Sequence, residues 1–526
     1  MVEKHVFPGA RQENPLNPAE LLELSKTLNK SSGGIAFTAT AHTSFSEIKF
    51  AVKPTSGVGF SMQLNSCLKN LETALSQMGI PKEMVCQQSI YSMATPQELE
   101  ATCARHFFGS TPPTSYIAEP PIGGFGLSCE HLVLMPRGGG IGIKRRQVTL
   151  EAGSNFEETI IENNNARITK TAVEHEKYGM AKYTVVEGKN EKFKRIYAAG
   201  LSGGTEDIED SARGAFELQK MILEKEGMDF IHILCQRNFI EDIDGENYHA
   251  FNGVRRIFYG NAFTPGHLHN DWPAATGIGQ DGNGVVITFI AEQSGKRRVC
   301  VDNPGQTRSD SYAGEFQATQ AVTKKTGMQV GMPISHVGAG KPVNRPAFSR
   351  ALILAASDPS SVDAGDVLGE LFISGTASIT GKKEGGRHIP YSPKDFTPQY
   401  VNICELEKIV GNDKLKQCGL KIHEYGGKIF AETAVEAQTL DLINNIARLI
   451  SPENLEGHNI NGYARFDDLK RLWVYVKNPQ DEGKVQQLCG KIFGETPITY
   501  VKADVCYSDL LVEIGGSGAI RKKDKD

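Results

Sequence analysis

The sequence KIFGETP at Lys491–Pro497 ends a helix-like stretch on an aromatic residue and a glycine, and then reaches a proline. The same ending recurs at His106–Pro112 (HFFGSTP) and at Ile257–Gly260 (IFYG), which Thr264–Pro265 follows. Glycine is common directly after the last residue of a helix, and a nearby proline cannot continue it. The recurrence predicts that one supersecondary unit occurs three times in this chain.

The residues that precede each ending change from strand-like to helix-like patterns. In the first copy, residues 34–41 alternate as a strand does, and leucines recur every three or four residues over Leu64–Leu75. Val85–Met93 predicts the next strand, and Thr95 followed by Pro96 predicts the start of a second helix. The other two copies repeat this order, so each unit is predicted to be β–β–α–β–α–β–β.

This order predicts an α/β (α+β) fold in which each unit is a small mixed sheet covered on one face by two helices. The other face of each sheet needs a partner, so three such faces in one chain predict an intrachain pseudo-trimer. We expect domains at 1–146, 147–300 and 301–526, with an insertion near 382–427 in the third. The insertion is apolar enough for one or two packed helices, which suit a lid.

The composition argues against several classes of protein. The 526 residues carry a formal charge of -5 without a long run of one sign, which disfavours a nucleic-acid partner. The ten cysteines are scattered, so we expect reduced thiols and no metal site. The first residues lack an apolar signal core, and no apolar run is long enough for a membrane helix. These features predict a soluble, cytoplasmic protein without a membrane partner.

A glycine-rich and then basic stretch, Arg137–Arg146, separates the first two copies. It lacks the G-x-x-x-x-G-K-[ST] pattern of a phosphate-binding loop. We therefore interpret it as a linker or hairpin that binds no ligand.

The order of elements resembles the Rid (reactive intermediate deaminase, YjgF-like) superfamily, whose members form trimers of such units. Within this likeness, residues from about 170 to 526 resemble the chorismatases, which are built from two Rid-like units. Five blocks occur in the expected order. They are Trp272–Gly279 (WPAATGIG), Val301–Gln306 (VDNPGQ), Arg345–Ala351 (RPAFSRA), Phe372–Ile379 (FISGTASI) and Ala503–Ile514 (ADVCYSDLLVEI).

This resemblance implies release of pyruvate from chorismate, which leaves a hydroxybenzoate or a dihydroxycyclohexadiene carboxylate. It also implies that Glu513 is the general acid, with no cofactor. Protonating an enol-ether carbon near neutral pH requires a carboxylic acid that an apolar environment keeps partly protonated. The apolar neighbours of Glu513 in the sequence suit that need, although an edge-strand carboxylate that faces water is the alternative.

Chorismate carries two carboxylates, so its site requires cations, and guanidinium groups suit carboxylates better than ammonium groups do. Arg350 is the first candidate because it lies in a matching block. Arg345 precedes it, and Arg255 lies in the second helix of the second copy, where Arg256 is an equal choice. For each of them, a solvated surface charge is the alternative.

Three smaller candidates complete the expected site. Gly375 lies in a block that lines the pocket of the relatives, where a missing side chain lets substrate approach the backbone. Cys506 lies seven residues before Glu513, where family members that make hydroxybenzoates keep a cysteine, although a strand cysteine is also ordinary core. Tyr312 offers a hydroxyl to a substrate carboxylate, or packs in the core.

Departures from the family keep other functions open. Gly305 occupies a place where the resemblance implies an arginine, and the 382–427 insertion lies beside the expected pocket. A related enol ether, or a scaffold that binds a small carboxylate without turnover, is therefore an alternative. The simpler Rid deaminases use an arginine that the corresponding pairs here, Thr114–Ser115, Asn270–Asp271 and Ile498–Thr499, lack. We expect a small carboxylate ligand and either a monomer or a low-order homo-oligomer.

Overall fold

The three copies of the unit fold as three β-sheets that share one strand order. The computed structural model describes residues 35–41, 45–107, 111–121, 126–136, 141–189, 192–244, 246–262, 272–306, 347–381, 387–417 and 419–523. In every unit a hairpin leads through a helix to a third strand, and a second helix leads to a fourth strand parallel to the third. The last strand then lies between the second and third strands of the sheet. The order of strands and helices along the chain confirms the predicted β–β–α–β–α–β–β order.

The first unit contains the two helices that the leucine spacing and the capping residues predicted. Its elements are β1 (Ile35–Ala41), β2 (Phe45–Val52), α1 (Phe60–Gln77), β3 (Val85–Ser92), α2 (Pro96–His106), β4 (Thr114–Ile117) and β5 (Leu127–Pro136). The strand order is β1-β2-β5-β3-β4. Leu64, Leu68 and Leu71 of α1 are buried, as the spacing predicted. The glycine ending of α2 at Gly109 lies outside the described residues.

The second sheet is larger than the sequence analysis predicted. Its elements are β6 (Gly142–Thr149), β7 (Asn155–Glu162), β8 (Ala166–His175), β9 (Gly179–Gly188), β10 (Lys194–Ser202), α3 (Ile208–Lys225), β11 (Ile233–Glu241), α4 (Asn247–Ala262), β12 (Ala274–Gln280) and β13 (Val285–Gln293). The strand order is β12-β11-β13-β10-β9-β8-β7-β6, so β6 to β8 extend the unit beyond its five repeated strands. Residues 142–146 of the expected linker are part of β6.

The third sheet carries the insertion between its hairpin and its first helix. The elements are β14 (Arg297–Val301), β15 (Ala351–Ala355), β16 (Val367–Thr376), β17 (Thr380–Gly381), β18 (Arg387–His388), β19 (Gln399–Asn402), α5 (Cys404–Val410), α6 (Asn412–Gln417), β20 (Lys428–Ala431), α7 (Ala434–Leu449), α8 (Pro452–Gly457), β21 (Gly462–Tyr463), β22 (Leu469–Val476), α9 (Glu482–Phe493), β23 (Ile498–Lys502) and β24 (Val512–Lys522). The order is β14-β15-β16-β24-β22-β23, with β21 on β24.

The insertion forms the two short helices that its apolar residues indicated. Leu406 of α5 and Leu415 of α6 are fully buried in the core of the third unit, where they join residues of β19, β20 and α7. Helix α7 begins with a capping box, because the Thr433 hydroxyl and the Glu436 carboxylate exchange hydrogen bonds with each other's backbone N–H groups. The insertion is therefore packed against the helix that covers the third sheet.

Two strands extend across the expected domain boundaries. Strand β6 includes residue 146 and belongs to the second sheet, and β14 includes residue 300 and belongs to the third. We propose that the second and third domains begin with these two strands. The division of the chain into three domains stays a prediction.

The three sheets pack on one another around Arg195, which is fully buried on β10. Its guanidinium forms ion pairs with Glu47 of β2 at 2.6 Å, with Glu370 of β16 at 2.6 Å and with Glu292 of β13 at 2.5 Å. One side chain of the second unit thus joins all three sheets. A buried charge is tolerated when it is paired and hydrogen-bonded in this way.

A second buried ion cluster joins the same three sheets further along. Glu130 of β5 accepts from Arg237 of β11 at 3.0 Å and lies 2.7 Å from the guanidinium of Arg471 on β22. The expected intrachain pseudo-trimer is therefore present. No helix within the described ranges is long and apolar enough to cross a membrane.

Candidate active site

A cavity lies between the second and third units, where β12 meets β16 and the start of β24. Ser374 ties the two units together here, because its hydroxyl accepts from the Ala275 N–H at 2.9 Å and donates to the Ser349 carbonyl. The cavity is lined by residues from four of the five blocks that carry the resemblance and from α4. They are Tyr248, Arg255, Ala275, Gly277, Phe348, Arg350, Gly375, Ala377, Ile379, Cys506, Tyr507 and Glu513.

Glu513, the expected acid, extends from β24 into this cavity. It is only 4% exposed, and β24 places it opposite Tyr475 of β22. Burial raises its pKa to about 8, although the charge of Arg350 pulls in the other direction. A carboxyl group with such a pKa is largely protonated at pH 7, so it can donate a proton. The alternative of a water-facing edge carboxylate is wrong.

Gly375 lies directly against the Glu513 carboxyl group. Ile373 pairs with Gly516 and Thr376 with Ile514, so two residues of β16 oppose one of β24 in a β-bulge. A Cβ atom at Gly375 would lie 1.7 Å from Oε1 of Glu513. The missing side chain at Gly375 is therefore what leaves room for the carboxyl group.

Two of the three expected arginines meet in the cavity. Arg350 is 4% exposed and lies over the ring of Phe348, with 5.3 Å between the guanidinium carbon and the ring centre. Arg255 is 2% exposed, and it donates to the side-chain oxygen of Asn252. Burial lowers the pKa of Arg255, and no carboxylate among the described residues counteracts that. The cavity thus presents two buried guanidiniums beside a neutral acid.

Cys506 lines the cavity as expected and is partly exposed. Beside it are two tyrosines that the sequence analysis missed, Tyr507 and Tyr248, whose rings meet edge to face with 6.4 Å between centres. Tyr507 lies in the same matching block as Cys506, which was an available signal. Tyr248 lies seven residues before Arg255 on α4, so helical periodicity places both on one face.

Two expected site residues, Arg345 and Tyr312, lie outside the described residues. The departure at Gly305 has a structural counterpart, because a Cβ atom there would lie 1.6 Å from Nη1 of Arg448 on α7. An arginine from another element thus fills the space beside Gly305. Gln306 next to it donates to the carbonyl of Ala377, at the edge of the cavity, at 3.0 Å.

The repeat shows which copy has an acid at this position. Glu513 pairs with Tyr475, and the equivalent pairs are Ser128 with Tyr91 in the first unit and Val286 with Phe239 in the second. A carboxyl group therefore occupies this register position in the third unit and in neither of the others. The third copy stays the predicted source of the acid, and the second copy the predicted source of its pocket partner.

The cleft between the first and second units is filled where the candidate site is open. Gly200 lies in the corresponding bulge of β10, with a φ of +75°, and a Cβ atom there would lie 2.1 Å from the Thr114 carbonyl oxygen. The Gly200 N–H donates to the Ser115 hydroxyl at 2.8 Å. In the first unit, β2 and β5 pair without a bulge. The three clefts are therefore not equivalent.

The register also corrects one sequence assignment. Ser115 and Thr499 occupy the same position in their parallel strand pairs, and the equivalent residue of the second unit is Thr276. The pair Asn270–Asp271, assigned to this position from the sequence, lies outside the described residues. All three positions hold a hydroxyl residue.

Within the described part of the chain, no group of three His, Cys, Asp or Glu side chains is arranged to hold a metal ion.

Comparison with curated proteins finds relatives named 3-hydroxybenzoate synthase and chorismatase. A 3-hydroxybenzoate synthase of Streptomyces hygroscopicus is 28% identical over 325 residues, which cover 61% of this chain and 73% of that protein. A chorismatase of Streptomyces rapamycinicus is 29% identical over 246 residues, 46% of this chain and half of that protein. The chain has homologues among the chorismatases.

A solved chorismatase structure covers 84% of this chain and 96% of its own length, at 17% identity and a TM-score of 0.47. No family model matches the chain. The chorismatase homologues are enzymes by name, and they confirm the likeness that the five sequence blocks indicated.

Proposed function

We propose that this chain releases pyruvate from chorismate, or from a closely related enol-ether carboxylate, with Glu513 as the general acid. The observation that carries the proposal is one cavity that combines a buried, protonated carboxyl group with two buried guanidiniums. The homologues named chorismatase and 3-hydroxybenzoate synthase support the choice of substrate.

The charges of the cavity suit a dicarboxylate. Arg255 and Arg350 bring two positive charges, and protonated Glu513 brings none. Because the buried Arg255 guanidinium has no carboxylate partner among the described residues, an anionic ligand would stabilise it. Chorismate carries one carboxylate on its ring and one on its enolpyruvyl group, so its charge matches that of the cavity.

The chemistry needs one proton transfer to carbon. Glu513 donates its proton to the terminal methylene of the enol ether, which makes the adjacent carbon electrophilic. For a hydrolysis, water adds at that carbon and returns a proton to the Glu513 carboxylate. The resulting hemiketal breaks to give pyruvate and a ring alcohol. An ionised Glu513 has no proton to donate, so it cannot start the reaction.

The identity of the second product depends on whether the ring becomes aromatic after pyruvate leaves. Cys506 lines the cavity, and the resemblance associates a cysteine at this place with hydroxybenzoate formation. The relative named 3-hydroxybenzoate synthase supports the same product. We therefore propose a hydroxybenzoate as the ring product, which forms when the diol left by hydrolysis loses one water, a ring hydroxyl and a ring hydrogen, and becomes aromatic. The dihydroxycyclohexadiene carboxylate, which keeps both hydroxyl groups, is the alternative.

The test incubates the purified chain with chorismate, follows pyruvate with lactate dehydrogenase and separates the ring products by chromatography. Wild type should release pyruvate, and Glu513→Gln, which keeps the shape but has no acidic proton, should lower kcat by at least about 1,000-fold. Glu119→Gln is the matched control. Burial raises the pKa of Glu119 to about 9, but Glu119 lies beside Lys502 and does not line the cavity.

Absence of pyruvate from wild type, or equal rates from wild type and Glu513→Gln, would overturn the proposal. Isothermal titration with chorismate separates the remaining possibility. Tight binding without turnover would identify a carboxylate-binding protein instead of an enzyme.

A further inference from the structure

Gln438 is a fully buried amide on α7 that holds two backbone segments together. Its Nε2 donates to the carbonyls of Tyr391 at 2.9 Å and Asp509 at 2.8 Å. Its Oε1 accepts from the Leu511 N–H at 2.8 Å. Since the side chain itself is inaccessible to solvent, these three bonds fix the relative positions of both segments.

One of the two segments forms a wall of the candidate site. The loop 503–511 carries Cys506 and Tyr507, which line the cavity, and it leads directly into β24 two residues before Glu513. The segment that contains Tyr391 follows the hairpin of β17 and β18, which begins beside the lining residue Ile379. Gln438 therefore joins the loop that lines the cavity to the segment that contains Tyr391.

Contacts from the insertion strengthen the same attachment. Ser392 donates to the Asp509 carboxylate at 3.1 Å, and Lys394 forms an ion pair with it at 2.8 Å. The Lys394 side chain is 69% exposed, so this ion pair contributes little by itself. The buried amide of Gln438 is the stronger of the two attachments, because losing it would leave backbone groups unsatisfied away from water.

We propose that Gln438 is a positioning residue of this site, which holds the Cys506–Leu511 wall so that Glu513 meets the substrate in reacting geometry. The catalytic part of this inference rests on the proposed function. Gln438 does not line the cavity, so it acts through the backbone of the loop. Small displacements of an acid from its reacting geometry strongly lower the rate of the reaction.

Asn444 on the same helix supplies a matched control. It is 2% exposed, and its side-chain oxygen accepts from the N–H groups of Glu405 and Leu406 at 3.0 Å each. This buried amide thus fixes helix α5 of the insertion and touches no segment that lines the cavity. Removal of either amide deletes hydrogen bonds between α7 and backbone groups elsewhere in the chain. Only the loss of the Gln438 amide should change the cavity.

The experiment compares Gln438→Met and Asn444→Leu with wild type, using two cysteines as reporters. Alkylation by iodoacetamide is followed peptide by peptide at Cys506, in the cavity wall, and at Cys404, the exposed first residue of α5. We expect Gln438→Met to speed alkylation of Cys506 about tenfold and to leave Cys404 unchanged. Asn444→Leu should speed alkylation of Cys404 and leave Cys506 unchanged.

Pyruvate release from chorismate gives the second readout. Gln438→Met should lower kcat about tenfold, with a smaller change in KM, whereas Asn444→Leu should stay within about twofold of wild type. The thiol readout does not require turnover. If wild type releases no pyruvate, the proposed function fails, and the crossed thiol pattern still decides whether Gln438 holds the wall.

Equal alkylation of Cys506 in Gln438→Met and wild type would overturn the inference. A similar rise at Cys506 in both variants would also overturn it, because that result indicates general loosening of the fold. An active wild type whose kcat survives Gln438→Met would exclude the positioning role.

Discussion

The proton on Glu513 is set by its surroundings at the scale of single residues. An isolated glutamate ionises near pH 4.5, whereas burial raises the pKa of Glu513 to about 8 and the charge of Arg350 opposes that rise. The group therefore remains an acid at the pH where ordinary carboxylates have lost their protons. Arg350 and Glu513, which both line the cavity, are thus coupled electrostatically.

This coupling predicts the pH dependence of pyruvate release. Because the protonated form is the reactive one, kcat should be constant below the pKa and fall about tenfold per pH unit above about 8. Arg350→Met removes the charge that lowers this pKa, so the decline should move to higher pH even as KM rises. Rates between about pH 6 and 10 check this, with Arg146→Met as a surface control. A decline that stays at the wild-type pH in Arg350→Met would contradict the coupling.

Gly375 gives a second prediction at this scale. A methyl group at Gly375 would overlap the carboxyl end of Glu513, which is the movable end of a side chain. Gly375→Ala should therefore fold, with unfolding free energy within about 1 kcal/mol of wild type, and lose at least about 100-fold in kcat. Urea unfolding and pyruvate release measure both. Wild-type activity in Gly375→Ala would contradict this prediction, because it would show that the Glu513 carboxyl group can react from another position.

At the scale of elements, the same bulge serves two purposes in two sheets. Residues 199–200 of β10 and 374–375 of β16 each oppose a single residue of the last strand in their unit. In the third sheet the bulge leaves room for a carboxyl group, and in the second it receives the carbonyl of Thr114 from the neighbouring unit. One local irregularity thus makes a cavity at one interface and a closed contact at another.

The two bulge glycines predict different effects of the same substitution, one on stability and the other on activity. Gly200 has a φ of +75°, and a methyl group there would meet backbone that cannot move aside. Gly200→Ala should lower the unfolding free energy by at least about 2 kcal/mol, whereas Gly375→Ala should chiefly lower activity. Urea unfolding of both variants checks this. Comparable stability losses in the two would contradict the assignment of Gly200 to a closed contact.

For the whole molecule, the central ion cluster holds three units together in one chain. Burial alone would raise the pKa of Glu292, but the charges of Arg195 and Lys296, together with hydrogen bonds to the carboxylate, outweigh burial and hold that pKa at about 2. Lys49 lies 3.5 Å from Glu47 and Lys296 lies 3.4 Å from Glu292, so three cations balance the three carboxylates. Removing the central cation would leave uncompensated charge between the sheets.

Arg195→Met should therefore lower the unfolding free energy by about 3 to 5 kcal/mol at pH 7. The lowered pKa of Glu292 contributes stability above its unfolded value of 4.5, and this is lost as the pH falls through about 2. The deficit of the variant should thus shrink between these values. Urea unfolding at several pH values measures it. Arg146→Met, which breaks a pair whose arginine is 59% exposed, should cost less than about 1 kcal/mol.

The sequence predicted what depends on local pattern. Leucine spacing identified α1, the Thr95-Pro96 start identified α2, and the apolar residues of the insertion identified α5 and α6. Strand β6 was missed because residues 142–146 were interpreted as part of a glycine-rich and basic linker or hairpin, and β7 and β8 were not predicted. The basic residues form a strand through pairing, as Arg146 opposes Glu158 on β7 at 2.6 Å. Such a cross-strand partner is not visible in a local window.

By itself, the sequence determined the threefold repeat and the order of strands and helices in each unit, and its resemblance to the chorismatases led to the proposal that Glu513 is the acid. Only the tertiary structure decided that Glu513 is buried beside Arg350 and Arg255, that Tyr248 joins them, and that one interface is open while another is closed. The physical reason is that burial, and with it the pKa of an acid, depends on neighbours from distant parts of the chain. Those neighbours meet only when the three sheets pack together.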